Sequence, residues 1–130
     1  MIALVFCLRK YANVSEKDFY QYWWNEHGPY VARRAKMLNM HNYVQMPRLT
    51  FAGAESVAEA RKSLPPYDGV ALVTWESKES LEATFGHKDA KRAARELIED
   101  ERKFIDFERS TIFFTDWKPV VSDGEVLPRE

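Results

Sequence analysis

Cysteine is almost absent from this chain. With Cys7 alone, an intrachain disulfide is excluded. Its place in the apolar run Ile2–Leu8 suits a buried structural thiol better than a nucleophile, because thiolate chemistry needs polar, electropositive surroundings. Glycine is scarce, at five residues. Gly53 stands isolated, and no glycine-rich phosphate loop occurs. The three histidines show no metal-ligand spacing and no Cys/His cluster accompanies them, so no metal and no other cofactor is expected. An excess of either charge is missing too. The chain carries 19 Lys and Arg against 20 Asp and Glu, a net charge of -1. That balance gives no general attraction to nucleic acid or to an anionic membrane. Lys88 to Arg92 reads as a mixed, solvated helix face. No apolar run approaches the ~20 residues that span a bilayer. The first one is short and ends in Arg9-Lys10, unlike a signal peptide. A reducing, cytoplasmic setting is the expectation.

What is present is ordinary globular composition, 45% hydrophobic and 30% charged over 130 residues. That is enough for one domain with a real core. Residues 2–8 predict a strand buried on both faces. Ile2, Leu4, Phe6 and Leu8 point one way. The smaller Ala3, Val5 and Cys7 point the other, leaving room there for something to pack or bind. Ser15 is an N-cap, with Asp18 completing a capping-box-like pair and Val14 and Phe19 forming a hydrophobic staple. The helix starting there places Phe19, Tyr22, Trp23 and Glu26 on one stripe, and Tyr20, Trp24 and His27 on the next. Gly28-Pro29 is expected to end or kink it. Residues 30–38 resume as helix, with Val31, Ala35 and Leu38 inward.

A strand is expected over 41–50, with His41, Tyr43 and Gln45 on one face and Pro47 marking an edge. Ala54 to Leu64 suits a short helix. Val70 to Trp75 forms a strong strand, and Ser77 caps a helix over 78–85. A longer helix runs from Asp89 to about Lys103, and Ser110 to Thr115 is the last strand. The domain spans 1–118, with 119–130 a polar C-terminal extension. The order β-α-β-(short α)-β-α-β is the split βαβ pattern, a ferredoxin-like α+β domain with a four-stranded antiparallel sheet and both long helices on one face. The other face keeps much apolar surface, which a second copy would cover, so a homodimer is expected.

One stretch carries chemistry. Tyr22-Trp23-Trp24 followed by Glu26-His27-Gly28-Pro29 sets an imidazole among aromatic rings within about two helical turns. An imidazole titrates near neutral pH and serves as acid or base. The competing reading is core packing, with a histidine that complements the helix end. Tyr43 would donate to a substrate oxygen and Gln45 would orient the same group, unless that strand face meets solvent or the dimer seam. Tyr20, Trp23, Trp24 and Trp75 offer flat apolar area to a planar ring, or are ordinary core. Asp68 suits an Asp-Gly turn, with a role in orienting His27 as the alternative. Arg9 pairs with a substrate carboxylate or with Glu26. His41 and His87 suit the surface.

The whole pattern resembles the EthD-domain family of the dimeric α+β barrel superfamily. The likeness rests on the apolar first strand with Arg9, Ser15, Phe19, Tyr22-Trp23 and His27-Gly28-Pro29. It continues through Tyr43-Val44-Gln45 and Asp68-Gly69-Val70-Ala71 to Phe104 through Ser110, leading into Phe113-Phe114, and spans roughly residues 1–116. The resemblance implies a dimeric barrel and a cofactor-free enzyme on a hydrophobic, oxygenated ring compound, of the cyclase, dehydratase or lactone-isomerase kind. His27 would be its acid/base and Tyr43 an auxiliary donor. It equally admits a cofactor-free monooxygenase, or a hydrophobic-ligand or haem-binding accessory protein of an oxygenase system. The 51–66 insert and the tail depart from the simplest family pattern.

Overall fold

A computed structural model describes residues 1–129; Glu130, the end of the expected extension, lies outside the described residues. Strands β1 (Ile2–Leu8), β2 (Asn42–Pro47), β3 (Gly69–Trp75) and β4 (Thr111–Asp116) form one sheet in the order β2-β3-β1-β4. Every neighbouring pair is antiparallel. With the helices on one side, this is the ferredoxin-like α+β architecture. β2 is an edge strand, so Pro47 costs the sheet no ladder bond.

The register assigns the two faces. Leu4 opposes Val73 and Phe114, Phe6 opposes Ala71 and Ile112, and Tyr43 opposes Val73. These side chains share one face because side chains alternate along a strand. Leu8 and Ala71 of that face join Phe19, Trp23, Phe104 and Ile105 in the main core cluster. A second cluster joins Val31 and Leu38 to Ala90, Ala93 and Leu97. The room expected beside Ala3, Val5 and Cys7 therefore lies on the opposite side: the helices and an apolar cavity stand over Leu4, Phe6 and Leu8. The larger side chains face the larger gap.

Helix α1 (Glu16–Tyr22) starts where the capping signals place it, with the Asp18 amide donating to Ser15 Oγ at 3.1 Å. The Gly28-Pro29 pair does not break the helical path. Trp23–His27 form one wide π turn, and the chain continues as α2 (Gly28–Ala32). Pro29 has no N–H and its ring would clash with the carbonyl four residues back in a regular helix. The wide turn relieves that clash, and the Gly28 amide bonds to Trp23 O instead. Helix is lost after Ala32, earlier than expected, and residues 33–39 form a run of turns ending at Asn39, whose φ is 55°. Val31 and Leu38 are nonetheless buried.

Helix α3 (Ala52–Ala60) lies wholly at the surface, and α4 (Lys78–Glu82) is capped by Ser77 Oγ. α5 (Lys88–Glu101) is capped by His87, whose Nδ1 accepts from the Ala90 amide at 3.3 Å. The tail holds a small hairpin, β5 (Val121–Ser122) and β6 (Glu125–Val126). Its two-residue turn is Asp123-Gly124, both with positive φ, the combination that a type I′ turn requires.

Candidate active site

A cavity of about 660 Å³ lies between the sheet and α5. Its walls are mostly apolar: Leu4, Phe6 and Val73 from the sheet, Ala94, Leu97 and Ile98 from α5. The exposed members of its lining, among them Phe85, Lys91, Ile112 and Phe114, mark the mouth along edge strand β4. Its few polar side chains are His27, Tyr43, Thr84, Lys91 and Glu101.

His27 is 4% exposed. Its Nδ1 lies 2.6 Å from Oδ2 of Asp100, which is itself buried on α5. Asp100 also accepts a hydrogen bond from the Tyr22 hydroxyl at 2.6 Å on Oδ1, and Lys103 Nζ stands 3.4 Å from that oxygen. Burial pushes the Asp100 carboxyl up, but the bonds from Tyr22 and His27 outweigh it and hold the group below its usual range. Asp100 is thus a carboxylate that only accepts. Nδ1 must then carry the imidazole proton, and Nε2 is left as a bare acceptor. Burial holds His27 below the ordinary imidazole range, against the opposing bond and charge of Asp100. The ring also meets Phe104, at 5.0 Å between centroids. A neutral imidazole with a fixed tautomer is suited to take a proton.

Glu101, the next residue, lines the same cavity. Burial, and secondarily the Asp100 charge, raise its carboxyl to about 7. It therefore remains largely protonated through mildly acidic pH and is able to donate a hydrogen bond. The Tyr43 hydroxyl accepts from Gln45 Nε2 at 3.0 Å, and burial pushes its ionisation up. Gln45 Nε2 also donates to Trp23 O at 2.9 Å, so it ties strand β2 to the π turn.

Of the residues singled out from sequence, the structure brings His27, Tyr43, Trp23 and Trp75 together around the cavity. The Trp75 indole donates to Leu38 O at 2.8 Å, which fixes its ring. Trp24 stands elsewhere. It is 71% exposed and lines a shallow outer groove with Pro29 and Gln45. Regular helical spacing would set it beside His27. Trp23, four residues before His27, shares the buried face with it instead, and Trp24, Asn25 and Glu26 stand outward. Tyr20 also stays outside the cavity lining: its hydroxyl donates to Asp68 O at 2.7 Å. Asp68 does not reach His27. It accepts from the Lys10 amide and from Arg48, joining the end of β1 to the end of β2. Arg9 lies over the Tyr67 ring at 4.2 Å and donates to Pro66 O. His41 is exposed, 3.7 Å from Glu76.

Asp100 and Glu101 were not singled out from sequence, because Glu99-Asp100-Glu101 reads as a solvated acidic run. The signal was there in the spacing. Counting from Ala90, Ala93, Ala94 and Leu97, the apolar stripe of α5 continues onto positions 100 and 101. Carboxylates on an inward stripe need a partner or a function. Among the described residues, no group of three metal-ligating side chains stands close enough to hold an ion.

Fold and site together define a small ferredoxin-like α+β protein with a histidine–aspartate pair at an apolar cavity. The EthD domain family matches residues 12–108, and the chain belongs to that family. Among solved structures it is similar to an EthD (ethyl tert-butyl ether d) family protein from Bacillus halodurans, with a TM-score of 0.58 and 13% identity over 91% of this chain and 100% of that one. It is also similar to a hypothetical Arabidopsis thaliana protein. Its solution structure gives a TM-score of 0.56 at 14% identity, covering 93% of this chain and 91% of that one. Its crystal structure gives 0.53 at 14% identity, covering 95% and 99%. At these identities the likeness concerns the fold. The comparison with curated proteins finds no match. No helix among the described residues is long and apolar enough to cross a membrane.

Proposed function

We propose that the protein is an enzyme moving a proton at a carbon next to a carbonyl in a hydrophobic, oxygenated ring compound, with isomerisation, cyclisation or dehydration as the outcome. The observation that carries this reading is the buried His27, bound through Nδ1 to Asp100 and lining an apolar cavity. Nε2 of His27 takes the proton. Asp100 acts through His27: it holds the tautomer and stabilises the imidazolium as it forms. Glu101, in its protonated form, donates to the substrate oxygen on which negative charge develops, and Tyr43 is an auxiliary donor. Trp23 and Trp75 offer flat apolar surface to the ring. One positioned acid/base group is credited with roughly 10²–10⁴-fold. Orientation within a largely apolar cavity supplies the remainder.

A protein that only carried a hydrophobic ligand would need the cavity but not a charged partner behind the imidazole. That difference sets the test. A co-purifying or screened ligand is identified by mass spectrometry, then incubated with native and His27→Ala protein. Conversion by the native protein, with binding but no conversion by the variant, supports the enzyme reading. Equal conversion by both refutes it.

The sheet face opposite the helices supports a second proposal, that two copies associate through it. Val44 and Met46 of β2 and Phe113 of β4 lie there, substantially exposed. Apolar surface of this kind is stabilised by burial against a second copy.

A further inference from the structure

Helix α5 presents two stripes to two separate recesses. Lys91, Ala94, Ile98 and Glu101 line the apolar cavity. Lys88, Lys91, Arg92 and Arg95, spaced three and four apart, line a separate cleft of about 330 Å³ with Gly86 and Asp89. Lys91 belongs to both. The cleft is therefore a basic step at the cavity mouth. Asp89 is the one carboxylate in its lining, against four cations. Asp89 lies 3.7 Å from Arg92, and Glu96 faces Arg34 at 3.4 Å. Lys88, Lys91 and Arg95 have no ion pair among the described residues.

The other end of the cavity is different. Asp100 lies ionised behind His27, and Glu101 beside it would become a second negative charge on losing its proton. That end of the lining offers an anion no Lys or Arg, whereas the other end does. From Lys91 to Glu101 the helix rises about 15 Å, at about 1.5 Å per residue.

Resting on the reading of the cavity as a ligand site, we propose that the ligand is an elongated amphiphile. Its apolar body lies along α5 in the cavity, its anionic head, a carboxylate or a phosphate, sits on Lys88, Lys91 and Arg95, and its uncharged, oxygenated ring end reaches His27 and Glu101. The geometry then orients the substrate as well as binding it, because only one end of such a molecule is tolerated at each end of the cavity.

Displacement of the neutral dye Nile red tests this with three probes of equal chain length: dodecanoate, dodecyl phosphate and dodecanol. With the native protein, at least one anion should displace the dye at a concentration at least tenfold lower than dodecanol does, and added salt should erode that advantage. The anion that binds more tightly identifies the head group. In the Lys88→Glu, Arg95→Glu double variant, whose two positions line only the basic cleft, the advantage should vanish while dodecanol is unaffected. The salt titration on native protein gives the same answer if the variant does not fold. Dodecanol binding as tightly as both anions, or an advantage indifferent to salt and charge reversal, overturns the head-group assignment and leaves the cavity as a ligand site. Displacement by none of the three overturns both.

Discussion

His27 and Asp100 meet at 2.6 Å across 73 residues of sequence, one from the π turn after α1 and the other from the last turn of α5. The contact fixes the imidazole proton on Nδ1. Its consequences are measurable in activity, in pH dependence and in the packing that surrounds it.

Asp100→Asn should keep the fold and lower kcat/KM by more than tenfold, as general base catalysis loses its oriented tautomer. The pH profile separates positioning from mere packing. The native acid limb should lie below the ordinary imidazole value of about 6.5, because burial lowers His27 and Asp100 only partly offsets it. Removing the Asp100 charge takes away the opposing influence, so the limb should move to still lower pH. A limb that stays in place would assign Asp100 a structural role only.

Glu101→Gln addresses stability. The native carboxyl is raised from an ordinary 4.5 to about 7. Its contribution to folding is fully present below the unfolded value and is lost as pH rises through about 7. Glutamine mimics the protonated form at every pH. Measured as Tm against pH, the variant should gain on the native protein between pH 5 and pH 8. A constant difference across that range would contradict the burial of this group.

Gly69→Ala probes the floor of the core. A Cβ there would lie 2.8 Å from the Trp23 ring and 2.9 Å from Met46 O. Backbone cannot yield easily, so Trp23 must shift, at a cost of about 1–3 kcal/mol. Denaturant unfolding should show a lower midpoint with an unchanged slope.

Association of two copies should appear in light scattering as about twice the mass of one chain. Val44→Lys with Phe113→Lys, both on the outer sheet face, should then yield a folded monomer. A native monomer at micromolar concentration would remove the dimer proposal.

The fold was legible because local signals agreed with one another: Ser15 and Ser77 as caps, apolar β1 and β3, and the spacing of α5. Two kinds of information were not local. Trp24 was misplaced because Trp23 and Trp24, four and three residues before His27, are both its neighbours on a helix, and only tertiary packing decides that Trp23 takes the buried face. Asp100 was missed because its partner comes from a helix far away in the chain. The Asp123-Gly124 turn, in contrast, is a hairpin signal that sequence does carry, and it is formed within the stretch read as a polar extension.

The central claim is that His27 is neutral at pH 7, protonated on Nδ1 and bare on Nε2. Long-range proton–nitrogen correlation spectra of labelled protein, assigned with His27→Gln, read both nitrogens directly. The expected result is a protonated-type Nδ1 and an unprotonated-type Nε2, both lost in Asp100→Ala or reversed to the other tautomer. A proton on Nε2, or an imidazolium at pH 7, would contradict it.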